Sequence, residues 1–193
     1  MKILNQKLLL ASKSPRRQQL MKEAGFLFEV ILLDVEENYP SDLPKEKVPE
    51  YLANKKAQAA FSKMKNNDIL IAADTIVVIN NQILEKAQNK SEAREMLQML
   101  SGQQHQVITG VCMATTKKRI TFSAISNVWM SLLNEEEINY YIDTFQPFDK
   151  AGAYGIQDWI GICKVEKIEG SYTNIVGLPT DLIYKHIKNL IPV

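Results

Sequence analysis

The stretch Ser12-Lys13-Ser14-Pro15-Arg16-Arg17 packs two hydroxyls and three cations into six residues. Arginine presents a planar fork that matches phosphate or carboxylate, so the chemistry this stretch suits is anion binding. Leu8-Leu9-Leu10, just before it, is an apolar run too brief for a helix core and reads as a buried strand. Ser14 is a good N-cap, Pro15 suits the first helical position, and Gly25 stops the helix that follows. A strand that runs through a small-residue turn into a helix presents free N–H groups and the positive dipole end. Arg16 and Arg17 stand in the first turn, against that dipole, where an anion would offset them. A capped helix with two solvated arginines accounts for the same residues equally well.

A second candidate is Asp74. It sits with Thr75 inside Ile69–Ile79, a run otherwise apolar on both faces. A carboxylate in such a strand is rare unless paired, metal-bound or catalytic, because burying an unpaired charge is costly. That outweighs the plainer reading of an Asp at a strand end. The acidic loop Asp34-Val35-Glu36-Glu37 follows an expected strand over 28–33, a place where carboxylates suit a hard cation such as Mg²⁺. Acidic loops are more often merely solvated. Asp149-Lys150-Ala151-Gly152-Ala153-Tyr154-Gly155-Ile156-Gln157 is a small-residue loop that can approach a ligand closely, or a tight structural loop. His105 reads as a hydrogen-bonded structural group, and Lys55 and Lys56 as solvent-facing lysines on a helix.

The elements that must position these residues alternate irregularly. A helix is expected over 48–64 with Tyr51, Leu52, Ala57 and Phe61 inward. Asn80-Asn81 reads as a hairpin turn. Ser91 is expected to cap a helix ending before Gly102, and Asn134 another. Strands are expected over 106–114, 120–132 and 160–168, and a last helix over 180–190. Helices and strands mixed with hairpins predict an α/β fold on a mixed sheet. The 193 residues contain no linker or repeat, so a second lobe would be interleaved within a single domain over 1–193. A net charge of +1 argues against a nucleic-acid polymer as partner. Cys112 and Cys163 read as buried free thiols without metal spacing. Lys2 and a brief apolar stretch make a poor signal peptide, and no run reaches membrane-spanning length. The chain reads as cytoplasmic.

Taken in order, several motifs resemble the Maf family of nucleotide pyrophosphatases. They are Ser12-Lys13-Ser14-Pro15-Arg16-Arg17, Ala73-Asp74-Thr75, Ser101-Gly102-Gln103-Gln104-His105-Gln106-Val107-Ile108-Thr109, the 149–157 loop, and Gly170-Ser171-Tyr172 through Gly177-Leu178-Pro179. The resemblance implies an elongated, two-lobed Maf/ITPase-like α/β fold with a mixed sheet flanked by helices and a deep central cleft, commonly as a homodimer. It implies hydrolysis of a nucleoside triphosphate to the monophosphate and pyrophosphate with a divalent metal, Mg²⁺ or Mn²⁺, as a house-cleaning activity. By the same resemblance Asp74 is the proton acceptor, and Glu37, Lys56 and Lys86 are catalytic. Ser12, Arg16, Arg17, Thr75 and Gln157 bind substrate, and Glu36, Glu37 and Asp74 are the candidate metal ligands. A Thr after the Asp and a Gln after Gly155-Ile156 resemble the branch acting on dTTP and UTP. Glu85-Lys86-Ala87 stands where the family often has Gly-Lys-Pro, with the lysine kept. The competing expectation is a non-catalytic nucleotide-binding regulator of septum formation.

Overall fold

The computed structural model describes residues 6–65 and 68–190; Lys2 lies outside them. The chain runs β1 (Leu8–Ala11), α1 (Pro15–Glu23), β2 (Phe28–Val30), α2 (Val48–Ala60), β3 (Ile69–Ile79), β4 (Gln82–Leu84), α3 (Lys90–Leu100) and β5 (Gln104–Ala114). It continues with β6 (Arg119–Met130), α4 (Glu135–Phe145), α5 (Trp159–Lys164), β7 (Val165–Glu169), α6 (Tyr172–Val176) and α7 (Thr180–Ile187). The strands form one seven-stranded sheet in the order β2-β1-β3-β5-β6-β7, with β4 on β3. The sheet is mixed: β1 is parallel to β2 and β3, whereas β3/β4 and β6/β7 are antiparallel.

The chain divides into two compact units, each discontinuous in sequence. Unit 1 holds residues 1–74, 109–124 and 177–193; unit 2 holds 75–108 and 125–176. In unit 1, Leu9, Ala53, Ala57, Leu70, Ala72 and Cys112 belong to one buried cluster. In unit 2, Val77, Leu97, Leu100, Val128, Tyr141 and Ile160 belong to another. Each large apolar side chain so buried contributes about 2 kcal/mol.

Helix α2 matters most for the site because it carries Lys56. Its inner face is small: Val48, Pro49, Leu52, Ala53, Ala57 and Ala60 are buried. Small residues let the helix lie close on the sheet. One close approach is at Gly110 of β5, where an added Cβ would overlap the Pro49 carbonyl carbon. The Ser123 hydroxyl donates to Glu50 Oε1 at 2.8 Å, and the Thr121 hydroxyl to Asn54 Oδ1 at 3.2 Å. These two bonds from β6 fix the rotation of the helix. Tyr51 and Phe61 are exposed rather than inward, because Ala53 and Ala60 take the places nearest the sheet.

Other expectations are also corrected. Asn89, not Ser91, caps α3: its side-chain oxygen accepts from the Glu92 amide at 3.0 Å. The strand expected over 28–33 stops at Val30. The run expected as a strand over 160–168 is helix α5 followed by β7. A short apolar run does not distinguish the two by periodicity. Gly161 permits the observed packing, since a Cβ at that position would overlap the Ile156 carbonyl and only a glycine clears it. The helical period then turns Ile160 inward and leaves Cys163 exposed, while Cys112 is buried as expected. Among the described residues no helix is long and apolar enough to cross a membrane.

Candidate active site

The parallel pair β1 and β3 stays in register to Ala11 opposite Ala72. Just beyond that point a polar side chain follows on each chain segment: Ser12 after the end of β1, and Asp74 within β3, which continues to Ile79. The carboxyl ends of parallel strands are where open α/β sheets bind ligands. Ser14 caps α1, its hydroxyl accepting from the Arg17 amide at 3.5 Å, with Pro15 in the first turn. The Ser12 hydroxyl accepts from the Ser14 amide at 3.2 Å and from Arg17 Nη1 at 3.5 Å. Arg17 is fixed further by donating Nε–H to the Gly177 carbonyl at 2.7 Å. Burial pushes its guanidinium down from the ordinary arginine value, Asp74 and Glu37 oppose that, and Arg16 adds to it. Guanidinium and Asp74 carboxylate therefore belong to one electrostatic group.

Lys56 joins that group from α2. Its ammonium donates to Asp74 Oδ1 at 2.5 Å and to Glu37 Oε1 at 2.7 Å. The lysine side chain is only 13% exposed and that of Asp74 10%. This corrects the expectation of a solvent-facing lysine: Lys56 lies one turn from Leu52 and from Ala60, on the buried face. A buried pair of this kind persists because removing either partner would strand a charge in low dielectric. The acidic loop is held by two further lysines. Lys13 donates to Asp34 at 2.9 Å, and Lys55 reaches the Asn38 side chain. Glu36 accepts from Asn38 Nδ2 at 3.1 Å in the exposed part of the loop.

Glu37 and Asp74 converge on a single cation, the Lys56 ammonium. Mg²⁺ is commonly held by one or two carboxylates together with substrate phosphates and waters. The oxygen pair fits that pattern, although no cluster of three or more metal-ligating side chains occurs among the described residues.

Unit 2 holds the remaining candidates. Thr75 follows Asp74 along β3 and is half-buried. Lys86 is exposed, on a stretch that bridges Ala151. Gln157 donates Nε2–H to Asp158 Oδ1 at 3.1 Å, while its Oε1 is buried with no hydrogen-bond partner. Asp158 also accepts from the Tyr141 hydroxyl at 2.7 Å, and that hydroxyl accepts from the Gly155 amide at 3.0 Å. Burial and the neighbouring Asp158 carboxylate push the Tyr141 phenol well above its ordinary value. The sequence alone does not point to Tyr141 or Asp158. Asp158 directly follows Gln157 and precedes an apolar helix, the one local signal that marks it.

A family model described as "Maf-like protein" matches residues 7–190. The chain belongs to the Maf family. A protein named dTTP/UTP pyrophosphatase from Bacteroides thetaiotaomicron is 48% identical to this Maf chain over 184 residues, covering 95% of both. One of the same name from Flavobacterium psychrophilum is 44% identical over 188 residues, covering 97% of this chain and 96% of its own. Among solved structures, the Staphylococcus aureus Ham1 protein aligns with a TM-score of 0.47 at 16% identity, over 64% of the Maf chain and 71% of its own. A likeness that distant carries no functional argument.

Proposed function

We propose that this Maf chain hydrolyses nucleoside triphosphates, dTTP and UTP before others, to the nucleoside monophosphate and pyrophosphate. The substrate class rests on the name carried by relatives that match it end to end. The observation that carries the chemistry is the buried Asp74 carboxylate, held on Lys56 beside Arg17 just past the point where the parallel pairing of β1 and β3 stops.

In this reading Asp74 orients a water and takes its proton as the water oxygen attacks the α-phosphorus. The bond from that phosphorus to the bridging oxygen breaks, and pyrophosphate leaves with the electron pair. Arg16, Arg17 and Lys86 meet the triphosphate charge, and Ser12 and the N–H groups at the start of α1 serve the same anion. Lys56 keeps Asp74 in place through a direct ion pair. Glu37 and Asp74, with Glu36 nearby in sequence, would hold Mg²⁺ or Mn²⁺, which screens the phosphates and lowers the pKa of a bound water. Gln157, Thr75 and Arg16 select the base. A glutamine carries both a donor and an acceptor, as the imide edge of uracil or thymine requires, and cytosine inverts that edge. Removal of such pyrimidine nucleotides, canonical or modified, is a house-cleaning role, and a homodimer is the assembly this reading takes.

The test is a panel of the common nucleoside triphosphates and several modified ones, with Mg²⁺ or Mn²⁺, assaying pyrophosphate and orthophosphate separately. Pyrophosphate from dTTP and UTP is the expected result. Orthophosphate as the first product would make the protein a terminal phosphatase. No product from any nucleotide would leave a binding protein.

A further inference from the structure

We infer that Asp158, anchored by Tyr141, is a positioning residue for base choice: it locks the Gln157 amide so that its oxygen, not its nitrogen, is the group offered to N3 of the base. This rests on the proposed pyrimidine triphosphate reaction and adds residues that reading does not use.

The first constraint is what each group can do. An ionised Asp accepts hydrogen bonds and donates none. The Gln157 group that lies 3.1 Å from Asp158 Oδ1 must therefore be the NH₂. Turning the amide over would set two oxygens against each other and lose a charge-assisted bond. With the nitrogen so held, Oε1 points the other way, and it is buried without a partner. A buried acceptor left unpaired costs about 1–3 kcal/mol, a cost relieved when a ligand supplies a donor. The N3–H of uracil or thymine is such a donor. N3 of cytosine is an acceptor, and it faces an oxygen it cannot bond.

The lock works only if Asp158 cannot turn. Its other oxygen accepts from the Tyr141 hydroxyl at 2.7 Å, and that hydroxyl accepts from the Gly155 amide at 3.0 Å. Tyr141 is fully buried, its ring stacked on Phe145 at 5.1 Å. Orientation thus passes from a backbone amide through a phenol and a carboxylate to the glutamine. Gly155 is the residue that makes room. A Cβ there would come within 2.5 Å of Asp158 Oδ2 and 2.7 Å of Gln157 Nε2. Without the lock, a free glutamine amide could flip and serve cytosine as well.

The test compares wild type, Asp158→Asn, Gln157→Ala and the double variant by kcat/KM for UTP and CTP. Asp158→Asn is expected to lower the UTP:CTP ratio about tenfold, the discrimination carried by one hydrogen bond, with kcat for UTP held. In the Gln157→Ala background it is expected to change the ratio no further. An unchanged ratio in Asp158→Asn, or an equal drop without Gln157, overturns the lock. Tyr141→Phe is the second variant, with a smaller drop of about threefold expected. The side-chain amide of Gln157, assigned by its loss in Gln157→Ala, gives a readout independent of turnover. In NMR hydrogen exchange it is expected to be protected in wild type and unprotected in Asp158→Asn. Free exchange in wild type overturns the lock. A protected amide in a protein that hydrolyses no pyrimidine nucleotide overturns the proposed reaction instead.

Discussion

Two groups of buried polar residues in this protein are built on opposite principles. In unit 1, Asp74, Lys56, Glu37 and Arg17 are all ionised types, and the group grades outward to Glu37, which is 43% exposed. In unit 2, Asn174 donates to the Val107 carbonyl at 3.1 Å and to Ser126 Oγ at 2.8 Å. Ser126 Oγ in turn donates to the Ser171 carbonyl and accepts from the Ser171 amide, both at 3.1 Å. Every member is neutral, Asn174 and Ser126 are fully buried, and most partners are backbone. A neutral sealed network ties loops to strands. A charged cluster opening to solvent keeps groups that can exchange one partner for another. His105 and Tyr154, 2.7 Å apart and both buried in unit 2, belong with the neutral kind.

The sharpest way to break the contrast is Asp74→Asn. Losing a general base costs about a thousandfold in turnover, measured as pyrophosphate release from dTTP, while circular dichroism keeps the wild-type fold and the melting point falls, because Lys56 loses its buried partner. Equal turnover would remove Asp74 as the base. Asn174→Ala should do the reverse. It leaves kcat per folded molecule unchanged and costs about 3 kcal/mol of stability by urea unfolding, since it removes two buried hydrogen bonds and opens a cavity. A change in kcat would place the neutral network in the chemistry.

A third test sharpens the contrast through pH. Burial lowers the His105 pKa from its ordinary 6.5 to about 4. Below pH 6.5 the unfolded chain takes up a proton that the folded protein refuses until about pH 4. Stability from this group is therefore full above pH 6.5 and falls as pH drops toward 4, by up to about 3 kcal/mol. Urea midpoints at pH 7.5 and 5 should show a shallower pH dependence in His105→Gln than in wild type. Equal slopes would mean that His105 is protonated in the fold.

How much of this was legible in the sequence depended on the range of the signal. Local signals read well. Ser14 and Pro15 start α1, Asn134 with Glu137 makes a capping box, and Asn80 and Asn81 both take the positive φ of a tight hairpin turn. The eleven-residue strand Ile69–Ile79 formed with the bounds its apolar run suggested. Competing local signals read less well. Asn89 rather than Ser91 caps the helix, and Glu92 returns the bond: its carboxylate accepts from the Asn89 side chain and from the Gln88 amide, both at 2.9 Å. The 160–164 run is apolar enough for either a strand or a helix, and its close packing on Ile156 at Gly161 is a tertiary contact that the run itself does not announce. Tertiary pairings were not legible. Lys56 meets Asp74 across 18 residues, and Tyr141 meets Asp158 across 17, with no pattern in the intervening chain to announce either. For the candidate site, residue types were readable while their partners were not.

The chain changes unit after residues 74, 108, 124 and 176, and the first three changes fall inside β3, β5 and β6. No single cut yields either unit whole: a product ending at residue 108 would carry part of one and all too little of the other. A domain appended end to end can be shuffled, duplicated or lost as one piece of gene. Here a frameshift or an early stop damages both units at once, and a graft of either onto another protein requires several joins. The charged cluster and the glutamine lock are, in that sense, inherited as one indivisible trait.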